Sequence, residues 1–155
     1  MDNTQSFSDA QIITWIMSAI GWVITMVVAW AVLRKNARNT WTGELRKALM
    51  ELEDDAISFW MGNNDEKDLL ELKKIRRKVK EITSLAREIK DYGGLDYPGD
   101  SFIQLRRSVT TEKYHQDDKD LLLRNLTAKD ERIIEINNAC DHLRSMYKRN
   151  TNIIF

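Results

Sequence analysis

The stretch that decides the fold is IITWIMSAIGWVITMVVAWAVLRK, Ile12–Lys35. From Ile12 to Leu33 it runs 22 residues without a charge. A helix of that length spans ~33 Å, against ~30 Å for the hydrocarbon core of a bilayer. The apolar residues lie on all sides rather than on one stripe. That excludes a surface helix, and a small soluble domain has little use for a buried helix this long. A cleaved signal is the remaining competitor, because Ala29-Trp30-Ala31 has the small-x-small form of a cleavage site. No basic segment precedes the run, however, and the run is too long. Residues 12–33 therefore read as a single transmembrane helix.

Charge sets its direction. Residues 1–33 carry only Asp2 and Asp9, and every Lys and Arg follows position 33. Arg34, Lys35 and Arg38 stand just past the span, as topology determinants and as contacts for anionic lipid headgroups. The positive-inside rule places the C-terminal side in the cytoplasm and residues 1–11 outside as a short tail. Trp15 and Trp30 sit near the two ends of the span, where indoles anchor at the interface. The expected location is the inner membrane, single-pass.

On a 100° wheel, Thr14, Ser18, Gly21, Thr25 and Ala29 fall within about 80° of one another. Small residues on one stripe let two helices approach closely. This is the expected association face of the span, and a homo-oligomer is the expected state. The span holds no ionisable residue, so it carries no proton relay of its own.

The remainder is a charged helical region. Residues 34–41 read as a polar juxtamembrane connector and 42–150 as a cytoplasmic helical domain, with 151–155 as a tail. Thr42 reads as an N-cap. Leu45, Leu49, Leu52, Ala56, Phe59 and Trp60 recur at helical spacing up to Gly62, which suits the position after a helix. A second helix is expected from about Glu66 to Tyr92. Its Leu72, Ile75, Val79, Ile82, Ala86 and Ile89 alternate three- and four-residue spacings, a coiled-coil-like seam ending at Gly93-Gly94. A short loop between two amphipathic helices implies an antiparallel hairpin. Pro98-Gly99 marks a turn, and a helix begins near Asp100 with Phe102, Ile103, Leu105 and Val109. Leu121–Leu126 suggests a short helical patch. Thr127 with Asp130 resembles a capping box with Asp in place of Glu. Ile133, Ile136, Cys140, Leu143 and Tyr147 form a second seam. No segment alternates like a strand. The expected class is all-α: one N-terminal transmembrane helix followed by a cytoplasmic helical bundle.

Chemistry-bearing motifs are few. The two histidines, His115 and His142, and the lone Cys140 do not make the three or four convergent ligands of a zinc site. One cysteine excludes an intrachain disulfide and suits a reducing compartment. Glu51 and Asp55 lie one turn apart but lack a His or a Gly-rich loop, and they read as a solvated face. The segment from Lys73 to Lys80 has six bases in eight residues. Lys73, Lys74, Arg76, Arg77 and Lys80 lie opposite the apolar seam and form a candidate basic interaction face. No aromatic side chains interleave with them, so nucleic acid is disfavoured as a partner. No phosphate-binding, dinucleotide or nucleophile-elbow motif is present. No catalytic residue, cofactor or metal is expected, and the chain does not read as an enzyme.

The functional expectation is a single-pass membrane-anchored helical protein. It acts by protein–protein interaction or self-assembly at the cytoplasmic face, with membrane lipid and a membrane or cytoplasmic protein as partners. The alternative is a membrane-acting effector, such as a small toxin, lysis or phage-defence component, whose span oligomerises and perturbs the bilayer. The layout is one common among small bacterial and phage membrane proteins.

Overall fold

The computed structural model describes residues 8–63, 67–110 and 124–148. Regular structure among them is entirely α-helical: α1 (Asp9–Met61), α2 (Asp68–Asp91), α3 (Gly99–Val109) and α4 (Glu131–Met146). Contacts divide the chain into two compact units, Met1–Ala37 and Arg38–Phe155, and α1 supplies residues to both.

In the first unit α1 starts on a partial capping box. The Ser8 amide donates to Gln11 Oε1 at 3.1 Å, three residues on, and the Ser8 carbonyl accepts from the Gln11 and Ile12 amides. From Ile12 to Leu33 the large apolar side chains are exposed on every side.

The connector expected at residues 34–41 is not a break: α1 runs through it. Thr42 caps nothing, because its hydroxyl donates to the Arg38 carbonyl one turn earlier, at 2.8 Å. The reason is local. The segment contains neither Gly nor Pro, and its Arg, Lys and Ala residues favour helix enough to carry its Asn and Thr residues. Gly43 costs ~1 kcal/mol in a helix interior, but buried Thr42 and Leu45 flank it and the helix holds.

In the second unit all four helices contribute to one apolar core. Leu45, Leu49, Leu52, Ala56, Phe59 and Trp60 of α1 are buried, as is the whole seam of α2 from Leu72 to Ile89. Phe102, Leu105 and Val109 of α3 are buried, while Ile103, one position off the spacing, is exposed. From α4 come Ile133, Ile136, Cys140 and Leu143, with Tyr147 just beyond. The heptad-like seams are thus consumed inside the unit.

Two helix ends explain the local sequence. At the end of α2 the Gly94 amide reaches the Ile89 carbonyl and the Gly93 amide reaches that of Lys90, both at 2.8 Å. This is a Schellman closure, with Gly93 at φ 78° where a side chain would be strained. At the end of α1 the closing groups come from far along the chain. Arg124 Nε donates to the Phe59 carbonyl at 2.8 Å, Leu126 N to Trp60 O at 3.0 Å, and Asn125 N to Gly62 O at 3.1 Å. Gly62 follows the helix as the sequence implies, but what it supplies there is space. A Cβ at that position would lie 2.8 Å from Arg124 Nη2.

Residues 124–126 are accordingly not helical. Asn125 takes a positive φ of 72°, and the segment pairs with the end of α1 instead. Residues 121–123 of the expected patch and the tail 151–155 lie outside the described residues. Thr127 and Asp130 do interact, but the helix begins three residues later than a capping box on Thr127 implies. Asp130 occupies the N-cap position of α4, and its carboxylate turns back to accept from the Thr127 amide and hydroxyl. Those bonds hold its pKa below the usual carboxylate value.

Arg124 is the charged centre of this closure. Its side chain is 3% exposed, ion-paired to Asp68 and stacked 4.3 Å over the Phe59 ring. Removing one member of a buried pair leaves the other charge uncompensated, at a cost of roughly 3–5 kcal/mol. Arg124→Ala is therefore expected to lower the stability of the full-length protein in mild detergent by about that amount. Urea unfolding followed by circular dichroism measures it. A loss below about 1 kcal/mol, the scale of an exposed ion pair, would show that the pair is not a structural anchor.

Candidate interaction surfaces

The apolar first half of α1 carries the small residues Thr14, Ser18, Gly21, Thr25 and Ala29, and the geometry refines what they offer. Thr14 Oγ1 donates to the Ala10 carbonyl at 2.8 Å, Ser18 Oγ to Thr14 O at 2.9 Å, and Thr25 Oγ1 to Gly21 O at 2.8 Å. Each hydroxyl proton is thus held by the helix's own backbone. What remains for a neighbouring helix is close approach and the oxygen lone pairs. Gly21 has no atom within 4 Å of where a Cβ would stand, and Ala29 continues the stripe. Sequence reasoning located these residues but not the direction of their hydroxyls.

The three bases Arg34, Lys35 and Arg38 have separate environments. The Arg34 guanidinium lies 5.1 Å over the Trp30 ring. Lys35 is half-buried. Arg38 Nη1 donates to the Gly93 carbonyl at 2.9 Å, at the C-terminal end of α2, where a cation complements the helix dipole. Beside it Trp41 meets Tyr92 edge-on, with ring centroids 4.4 Å apart. Arg38 therefore has a structural task that its position in the sequence did not disclose.

On α2, Lys73, Lys74, Arg77 and Lys80 are exposed and Arg76 is half-buried. Arg77 pairs with Glu81 at 3.3 Å. Lys78 reaches Asp55 of α1 at 2.6 Å. Glu51 and Asp55, the one-turn carboxylate pair, each meet a lysine, since Lys47 lies 3.8 Å from Glu51. Among the described residues no cluster of three or more His, Cys, Asp or Glu side chains is arranged to hold a metal ion.

Comparison with protein-family models, curated proteins and solved structures yields no match for this chain. The surfaces must be read from their own chemistry.

The sequence pattern did not reveal a groove between the second half of α1 and α2, about 350 Å3 in volume. Ala48, Ile82 and Leu85 make its floor, and Glu51, Glu81 and Glu88 stand on its rim. The signal available in the sequence was Ile82, a position of the α2 seam. Nothing in the sequence showed that Ala48 and Leu85 would line a groove with it.

Cys140 is fully buried on the core side of α4. Burial pushes its thiol from 9.0 up to about 12, with the nearby charge of Glu53 adding to the shift. Burial likewise raises the Tyr147 phenol from 10.0 to about 12, with Tyr97 contributing. Both groups keep their protons in the folded chain at pH values where the unfolded chain loses them. Stability from this source is complete below pH 9.0 and is lost as pH rises toward 12. The denaturation midpoint of the full-length protein is therefore expected to fall across that window, and less steeply in Cys140→Ala. A midpoint independent of pH there would show that the two groups are solvated.

Proposed function

We propose that this chain is a single-pass membrane-anchored helical protein that acts by protein–protein interaction or self-assembly at the cytoplasmic face. Residues 12–33 cross the membrane with the N-terminus outside, and the unit from Arg38 onward is cytoplasmic. The observation that carries this is a contrast. Every apolar seam of the second unit is buried, whereas none of the apolar window in residues 9–61 is buried inside the chain. The exposed side chains from Ile12 to Leu33 include three tryptophans and lie between 47% and 73% accessible. Half-covering each would be worth roughly 1 kcal/mol, so the stretch forgoes an amount comparable to the ~5–15 kcal/mol stability of a whole domain. Lipid supplies the missing cover.

Within the cytoplasmic unit, α1 and α2 are read as an antiparallel hairpin. Arg38 meets Gly93, Trp41 meets Tyr92 and Asp55 meets Lys78, so the partner number falls as the α1 number rises. The small stripe favours helix–helix association in the membrane through close backbone approach. The same geometry weighs against a water-filled pore: hydroxyls committed to their own backbone make a poor polar lining. That leaves the membrane-perturbing effector as the weaker reading.

Gly21 provides the test, because a side chain there meets nothing in its own chain. In mild detergent the full-length protein is expected to have the mass of an oligomer, and Gly21→Leu that of a monomer with unchanged helicity. A monomeric wild type, or an oligomer indifferent to Gly21→Leu, would sink the assembly part of the proposal. Release of the wild type from membranes by alkaline carbonate would sink the anchor itself.

A further inference from the structure

We infer that the groove between α1 and α2 is a docking site for a basic amphipathic helix of a partner protein. This rests on reading the chain as a membrane-anchored interaction module and specifies what the module takes. The volume of about 350 Å3 is at the small end of the ~300–1,000 Å3 range of ligand pockets. It is open along one side and floored by Ala48, Ile82 and Leu85. An open apolar trough between two helices accepts side chains projecting from a third helix at i, i+3 or i+4, and i+7.

The rim decides the sign of the partner. Glu81 and Glu88 are seven residues apart, two turns along one face of α2, and Glu51 faces them from α1. The one cation in the lining, Lys78, is held 2.6 Å from Asp55. The bonds that Glu51 and Glu81 make to Lys47 and Arg77 join side chains 53–80% exposed. Such pairs are worth ~0–1 kcal/mol and exchange readily for a partner in trans. A helix with an apolar stripe flanked by Lys and Arg therefore satisfies floor and rim together. An acidic helix, an anionic lipid headgroup or a nucleic acid would meet the rim as a like charge. Lys73, Lys74 and Lys80 of the basic face of α2 are exposed and do not line the groove.

The test uses the full-length protein in nanodiscs of phosphatidylcholine, with empty discs as the blank. A synthetic helix carrying a leucine stripe and lysines elsewhere is titrated by fluorescence anisotropy, beside a counterpart with glutamates for lysines. The basic peptide is expected to bind above the blank, and more weakly as ionic strength rises. Glu81→Lys with Glu88→Lys should weaken it by about tenfold or more. Ala48→Trp should fill the trough and abolish binding, while Lys74→Glu leaves it intact. Matching thermal transitions for each variant tie the losses to the groove. Equal binding of the two peptides, or binding unchanged by Ala48→Trp, overturns the inference. So does displacement of the peptide by unlabelled full-length protein, which would make a second copy the occupant. Gly21→Leu is expected to bind the peptide normally. Failure of the groove in a protein that stays embedded and keeps its Gly21-dependent mass leaves the anchor and assembly reading standing.

Discussion

The second unit depends on how the C-terminal end of α1 is closed. A helix ends with carbonyls that have no partner inside it, and a buried end must find them elsewhere. Here the Phe59, Trp60 and Gly62 carbonyls are taken by Arg124, Leu126 and Asn125, more than sixty residues away along the chain. The same arginine neutralises Asp68 at the start of α2. Next to it, Arg132 stacks 3.9 Å over the Trp60 ring, and the Trp60 indole donates to the Val109 carbonyl at 3.2 Å. One corner thus joins the end of α1, the start of α2, the end of α3 and the approach to α4. Apolar burial holds the helices together, while this polar corner selects which ends meet. Such specificity comes from groups that are costly to leave unsatisfied in the interior.

The chain uses one chemical class of residue in two different ways. In Ile12–Leu33 apolar side chains occupy every direction around the helix, and in Leu45–Trp60 they occupy one. The first pattern cannot be satisfied by a neighbour on one side, whereas the second requires one. The difference in angular distribution, more than any difference in total hydrophobicity, separates the lipid-suited part of α1 from the core-suited part. The charged residues follow suit: none falls between Asp9 and Arg34, and beyond Arg34 they fill the faces that the seams leave open.

Much of this was legible from residue spacing. The seams of α2 and α4 lie buried as their three-and-four alternation implied, because periodicity reports directly on which face packs. Helix boundaries were less legible. Thr42 looked like a cap because a threonine after a polar run usually is one, yet continuing an existing helix is easier than starting a new one. The patch Leu121–Leu126 looked helical because its leucines cluster, but the groups of Arg124, Asn125 and Leu126 were needed to close α1, a demand visible only in three dimensions. Thr127 and Asp130 were correctly paired but in the wrong register, since both arrangements use the same side chains three residues apart. Of the candidate surfaces, the small stripe was placed by the wheel, though not the direction of its hydroxyls. The groove was not, because a concavity is made by what two helices together leave unfilled.

The burial of Cys140 has a practical consequence. The only thiol in the chain is sealed in the core on α4, so the folded protein is natively blank to thiol-directed labels. A cysteine introduced on either flank of Ile12–Leu33 would be read alone by a membrane-impermeant maleimide. The proposed sidedness of the chain can therefore be tested on the wild-type background, with the core around Ile136 and Leu143 undisturbed.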